Sequence, residues 1–345
     1  MPSGCITATL CLLTTISALC ADDQPTYRER LEYDPATGQW IEKPPPIAGT
    51  EAGDLAIGRA RLARGEFRKA RKTFQEWFKA YPDSSLRAEA LFYAAETEVA
   101  AEDDRRKSGH LIRAYEHLEE IIQGWPGTEL ADRALRKELI IAEMILFKNR
   151  RQRVWGGTLW LDASEEALQM LDRIIDDHAR DTPVAEQALR LKADYHYQSG
   201  EFEEAEMAYS RLGKDFPRGR YQKIALLRSG ESALARFPGV DFDDADLLEA
   251  EVYFQDFEKR FPPEAEPNRI PQRLLRIRES RAEKEFSVGR YYERTRKIDA
   301  AAFYYRLVVQ HYPGTTSAVE AHQRLIAIGA VEPGPAPPDP VEPQP

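Results

Sequence analysis

From residue 51 to 329 the apolar positions recur at the spacing that places them on one face of an α-helix, and Gly and Pro stand singly, as they do at helix ends. One phrase repeats six times. It opens on Ala70, Ala114, Ala167, Ala205, Ala250 and Ala301. Four residues on stands a large apolar or aromatic side chain: Phe74, Leu118, Leu171, Tyr209, Phe254 or Tyr305. Eleven residues on stands a ring: Tyr81, Trp125, His178, Phe216, Phe261 or Tyr312. The next residue is Pro82, Pro126, Pro217, Pro262 or Pro313, with Ala179 in that slot of the third copy.

Each part has a physical reason. The alanine lets two helices cross closely, and the residue at plus four fills the same face one turn along. The ring packs where the helix ends. Proline stops the helix, since it has no N–H to donate and its ring clashes with the preceding turn. Gly65, Gly109 and Gly200 precede three of the phrases and are read as closing the helix before. A second amphipathic stretch precedes every phrase, at 51–64, 85–101, 128–148, 183–198, 219–236 and 270–293. Ser84 or Ser85, and Thr182 before Pro183, are cap signals for such stretches. The unit is a helix pair, and one pair cannot bury its own apolar face. The expected fold is all-α, a superhelical solenoid of about six pairs with a concave side.

The flanks differ. Residues 22–50 are an extended polar linker, in which Tyr33 to Trp40 reads as a hairpin and Pro44-Pro45-Pro46 as a stiff spacer. Residues 330–345 carry seven prolines and are expected to form a disordered tail. Ile6 to Leu19 is an uncharged run of 14 apolar or small residues followed by Asp22-Asp23. It is too short for a membrane span and suits an export signal over 1–21. Two readings of its end stand side by side: ordinary cleavage near Cys20 or Ala21, and lipidation of Cys20 in a lipobox-like Ile16-Ser17-Ala18-Leu19-Cys20.

Composition then excludes chemistry. Cys5, Cys11 and Cys20 are the only cysteines, so neither disulfides, thiolate metal sites nor a cysteine nucleophile belong to the folded body. A net charge of -10 disfavours nucleic acid. No P-loop, HExxH, nucleophile elbow or dinucleotide glycine motif occurs, so no enzyme, metal or cofactor is expected. The six histidines make no i, i+4 pair. Asp241, Asp243, Asp244 and Asp246 lack EF-hand spacing and read as a solvated turn before a helix N-terminus. Lys148, Arg150, Arg151 and Arg153 read as a basic helix end, and Arg269, Arg273, Arg276, Arg278 and Arg281 as surface pairs with glutamates on their own helix.

Gly58, Gly65, Phe67, Ala70, Phe74 and Pro82, and again Gly200, Phe202, Ala205, Tyr209 and Pro217, resemble the tetratricopeptide consensus. The stops lie 44, 53, 38, 45 and 51 residues apart, longer than the family's period of about 34. The extra residues belong in longer helices or in loops, of which Arg150 to Leu161, with Trp155-Gly156-Gly157-Thr158-Leu159-Trp160, is one. The string from Phe237-Pro238-Gly239 through Ala250, Arg278, Ala282 to Tyr292, Ala300-Ala301 and Tyr312-Pro313 resembles the BamD family of outer-membrane lipoproteins, best over 183–329.

That resemblance implies an exported scaffold on the periplasmic face of the outer membrane, lipid-anchored or peripheral. Its partners would be a BamA-like barrel assembly factor, held by the C-terminal repeats, and unfolded outer-membrane proteins, received on the N-terminal ones. The family's partner-contacting arginine falls on Tyr304, with Arg306 two positions later on another face. Leu19 stands where the lipobox pattern has Gly, Ala or Ser, and there is about one repeat more. Tetratricopeptide geometry turns the first helix of each pair toward the groove. Arg59 and Leu62, and Arg190, Asp194 and Tyr197, are then expected to face a bound peptide. The alternative is a periplasmic tetratricopeptide adaptor for cell-wall or secretion machinery. An enzyme site within 150–161 is a third reading, with no reaction to name.

Overall fold

The computed structural model describes residues 31–34, 38–42, 47–101, 109–148, 151–154 and 159–330. Cys20 and the leader, Pro44 to Pro46, Trp155 to Thr158 and the proline-rich tail from 331 lie outside the described residues. The chain divides into two compact units, Met1–Leu86 and Arg87–Pro345.

The first unit holds an antiparallel hairpin, β1 (Leu31–Asp34) and β2 (Gln39–Glu42), and the helix pair α1 (Glu51–Ala63) and α2 (Phe67–Ala80). Tyr33 pairs with Trp40 across the hairpin. Thr50 caps α1 by accepting from Gly53 N at 3.1 Å. Gly65, at φ +72, closes it in the left-handed region that glycine enters without steric cost. Against α1 lie the buried Ala70, Phe74 and Trp77 of α2. Two hydrogen bonds pin the end of α2 back to the start of α1: Trp77 Nε1 donates to Glu51 O at 2.9 Å, and the Tyr81 hydroxyl to Asp54 at 3.0 Å.

The second unit holds five further pairs: α3 (Arg87–Ala100) with α4 (Gly109–Gly124), α5 (Glu129–Phe147) with α6 (Ser164–Arg173), α7 (Pro183–Ser199) with α8 (Phe202–Asp215), α9 (Gln222–Arg236) with α10 (Ala245–Arg260), and α12 (Ile270–Arg294) with α13 (Ile298–His311). A short α11 (Pro262–Ala265) precedes α12, and α14 (Thr316–Ala327) covers the last pair. The fold is the all-α helical repeat that the sequence pattern predicts. All six phrase alanines and all six side chains at plus four are fully buried. Thr128, Thr182 and Thr315 repeat the cap of Thr50, each accepting from the backbone three residues on.

The ring at plus eleven is the cap residue itself. Tyr81, Trp125, Phe216, Phe261 and Tyr312 each donate N–H to the carbonyl four residues back, at position plus seven. The third copy departs from the pattern. There Ala179, not His178, takes the cap conformation, and its N–H reaches Ile174 O, five residues back, at 3.1 Å. Ile174–His178 thus form a π-turn that absorbs one extra residue between the same plus-seven acceptor and the cap. Ala179 occupies the ring slot and not the proline slot, because no proline ends the helix one residue earlier.

Three other expectations are corrected. Gly109 opens α4 and does not close α3. The insertion near 150–161 is an antiparallel hairpin, β3 (Arg151–Val154) paired with β4 (Leu159–Asp162), so Lys148 caps α5 while Arg151 and Arg153 belong to a strand. Two of the α12 arginines, Arg273 and Arg281, pair with carboxylates of other helices. Arg273 meets Glu231 at 2.7 Å, Arg281 meets Glu251 at 2.7 Å, and Asp244 of the acidic turn takes Arg281 at 3.2 Å and Lys284 at 2.8 Å. These bonds, Lys284 first, hold the Asp244 carboxyl below its ordinary range against the opposing effect of burial.

Candidate functional site

The last pair is built on a close approach. A methyl group on Gly289 of α12 would meet the Tyr305 ring of α13 at 2.6 Å, so only glycine lets the ring lie flat against the helix. Gly58 under Phe74 and Gly230 under Phe254 repeat the arrangement, each at 2.7 Å. The Tyr305 hydroxyl donates to Glu293 at 2.6 Å, and Glu293 also accepts from Arg324 of α14 at 3.0 Å. Burial and this hydrogen bond push the Tyr305 phenol up to about 12. Burial alone would raise Glu293, but the bonds from Arg324 and Tyr305 hold its carboxyl below the ordinary value. This locked triangle fixes the surface above it.

On that surface four rings run in sequence. Tyr291 touches Tyr292 at 5.5 Å between centroids, Tyr292 stacks on Tyr304 at 5.5 Å and 17°, and Tyr304 meets Phe303 at 5.4 Å. Arg294 lies over Tyr291 and Lys297 over Tyr292, at 5.8 and 5.9 Å. Tyr291 and Phe303 are more than half exposed. Beside the row, a cleft of about 1090 Å³ is lined by Val240, Asp241, Lys284, Arg290, Tyr291 and Glu320, among others. Tyr304 is half-buried in the stack, whereas Arg306 is exposed and donates to Ala330 O at 3.2 Å. The two expected contacts thus sit on different faces of α13.

The expected groove residues are placed as follows. Arg59 and Leu62 are half-buried on α1. Arg190 and Asp194 pair at 2.8 Å and line a cleft of about 220 Å³ with Leu139, Glu143, Phe147 and Gln187. Asp194 also accepts from the buried Tyr209 hydroxyl at 2.6 Å, which with burial raises that phenol far above its ordinary value. Arg190 lies over Tyr221 at 5.0 Å and Arg228 over Tyr197 at 4.5 Å. These three residues are therefore brought together, and they also knit the fourth pair to the fifth.

The sequence reading missed one feature. Two residues past the phrase alanine stand Met207, Val252 and Phe303, 56%, 64% and 59% exposed. The first three copies carry Lys72, Glu116 and Gln169 there. Comparing that column across copies would have revealed the change from polar to apolar on an outward face. Among the described residues no group of three His, Cys, Asp or Glu side chains could hold a metal ion.

The paired helices, the buried Ala-aromatic crossing and the ring cap define a tetratricopeptide-repeat protein, and residues 54–84 match a tetratricopeptide repeat model. A narrower likeness follows: residues 161–330 match YfiO, described as an outer membrane lipoprotein, so the chain is a BamD-like tetratricopeptide-repeat protein over this stretch. The match begins 22 residues ahead of the stretch from 183 on which the sequence resemblance rests, and takes in α6. No curated protein matches the chain. Among solved structures, a human IFIT1 dimer with PPP-AAAA is 14% identical, covering 81% of this chain and 63% of that one, at a TM-score of 0.26. A human IFIT1 dimer with m7Gppp-AAAA is 10% identical over 82% of each chain, at 0.26. The chain thus spans less than two thirds of the first of these, and likeness at that score carries no argument. The two matches together imply protein–protein interaction, and the outer membrane lipoprotein match is consistent with the envelope. No described helix is long and apolar enough to cross a membrane.

Proposed function

We propose that the protein is a non-enzymatic scaffold of the outer membrane, exported by residues 1–21 and anchored through Cys20 or held peripherally. Its last pair binds a β-barrel assembly protein, and its earlier repeats receive unfolded outer-membrane proteins. The observation that carries this reading is the apolar column Met207, Val252 and Phe303, which lies within the segment matching the outer membrane lipoprotein family. Exposed aromatic and Arg groups are the residue types that anchor protein interfaces. Tyr291, Phe303 and Tyr304 form the anchor, and Arg306 lies at its rim. Arg59, Leu62, Arg190, Asp194 and Tyr197 are the client contacts, mixed polar and apolar groups suited to an extended chain.

The test is affinity purification of the tagged full-length protein from native envelopes in mild detergent, followed by mass spectrometry. A large β-barrel protein with periplasmic domains should be recovered stoichiometrically, and Phe303→Ser with Tyr291→Ser should lose it. An adaptor role in cell-wall or secretion machinery rests on the extra pair and proline-rich tail outside the family match. It is the reading to adopt if envelope proteins without any barrel are recovered instead.

A further inference from the structure

The solvent face of α2 differs from the equivalent face of every other repeat. Taking positions two before and two, five and nine after the phrase alanine, the first copy reads Arg68, Lys72, Gln75 and Lys79. All four are exposed, and at i, i+4, i+7 and i+11 they form one line along the helix, opposite the buried Ala70, Phe74 and Trp77. The third copy at these positions reads Glu165, Gln169, Asp172 and Asp176, and the second Ile112, Glu116, Glu119 and Gln123. The last three copies put one basic residue each in the four slots. Residues 51–86 hold eight Lys and Arg against five Asp and Glu, a net +3 in a chain of net -10. Glu76 beside the line pairs with Lys72 at 3.7 Å, an exposed pair that leaves the face net basic. Simple solvation accounts for a charged face but not for a basic excess confined to one copy.

A second feature belongs to the same unit. Trp40 and Ile47 are 66% and 70% exposed. Tryptophan is the side chain that favours the headgroup layer of a membrane. Residues 21–50, between Cys20 and α1, can reach at most about 100 Å when extended. A chain anchored at Cys20 therefore keeps this unit, the one next to the anchor, near the bilayer.

We infer that the basic stripe of α2 docks the first unit on anionic phospholipid headgroups. The inference rests on the envelope placement proposed above but not on which protein the last pair binds. An isolated cation near an anionic surface is worth about fivefold in binding, so Arg68 and Lys79 are worth about 25-fold, and Lys72, paired with Glu76, adds less than its full share.

The test is flotation of the full-length chain with phosphatidylcholine vesicles, with or without about a third phosphatidylglycerol. Residues 1–21 carry no acidic or basic side chain, so the leader adds equally to both. Anionic lipid should raise binding by at least about 25-fold, and salt should erase the gain. Arg68→Gln with Lys72→Gln and Lys79→Gln should abolish it. Lys214→Gln with Lys259→Gln, at the slot equivalent to Lys79, should leave it intact. Equal binding to both vesicle types, or equal loss in the two variants, overturns the inference. Because the assay contains no protein partner, its failure leaves the scaffold reading standing.

Discussion

Gly289→Ala tests the packing rule that builds the last pair. The added methyl group would lie 2.6 and 2.7 Å from two ring carbons of Tyr305. Carbon atoms at rest sit about 3.5–4.0 Å apart, so the ring must retreat by about 1 Å. It has nowhere to go: Tyr305 is fully buried and its hydroxyl is held by Glu293. Overpacking of this kind costs about 1–3 kcal/mol, while alanine in a helix gains about 1 kcal/mol over glycine. The sum is a net loss of up to about 2 kcal/mol. Gly213→Ala in α8 is the control, since its methyl would find Gln222 and Ala225 at ordinary contacts of 3.7 and 3.9 Å. It should gain up to about 1 kcal/mol. Urea unfolding followed by circular dichroism should therefore move the two midpoints in opposite directions, by about 0.5 M each. Adding Tyr305→Leu should make room for the methyl and remove the Gly289→Ala penalty in a double-mutant cycle. If Gly289→Ala is as stable as Gly213→Ala, or if the cycle shows no coupling, the close-approach account is wrong.

Other consequences follow from the same packing. Glu138 on α5 is fully buried with no hydrogen-bond partner for either oxygen, and burial, then Glu119, raises its pKa well above 4.5, against the nearby Arg173. Its folded pKa lies above its unfolded one, so stability is fullest below pH 4.5 and is lost as pH rises toward the folded value. Glu138→Gln should remove that loss, and its advantage over the parent in urea midpoint should grow from about pH 4 to about pH 8. Thr315→Ala should cost about 1–2 kcal/mol by the same assay, because the buried hydroxyl both caps Ala318 N at 3.1 Å and donates to Tyr312 O at 2.7 Å. Ala179→Pro should lower the thermal midpoint, with a loss above about 1 kcal/mol, since φ is -136 and the N–H is bonded to Ile174 O.

Local rules were legible in the chain. The phrase alanines, their plus-four partners and Thr182 announce themselves, because helix crossing, stacking and capping each demand a residue type at a fixed offset. What spacing along one helix cannot give is the partner across the next. The arginines of α12 alternate with glutamates on their own helix, yet Arg273 and Arg281 reach Glu231 and Glu251 on neighbouring helices. Likewise Asp194, a groove residue by its place on α7, also accepts from Tyr209, a partner 15 residues further along that spacing does not reveal. The β3–β4 hairpin escaped because a helical period on both sides hides eight strand residues. The outward column at Met207, Val252 and Phe303 escaped for another reason: an apolar residue says nothing of its exposure until the register of its helix is fixed.

The π-turn at Ile174–His178 bears on how the chain tolerates change in length. One residue inserted into a regular α-helix swings everything beyond it by about 100°. Here the widened turn takes up the residue, and the chain still leaves from the plus-seven carbonyl into Thr182 and Pro183 as its sister copies do. Direction of exit is thus uncoupled from residue count. A repeat array with such a joint can gain or shed a residue in one copy while every later helix keeps its bearing.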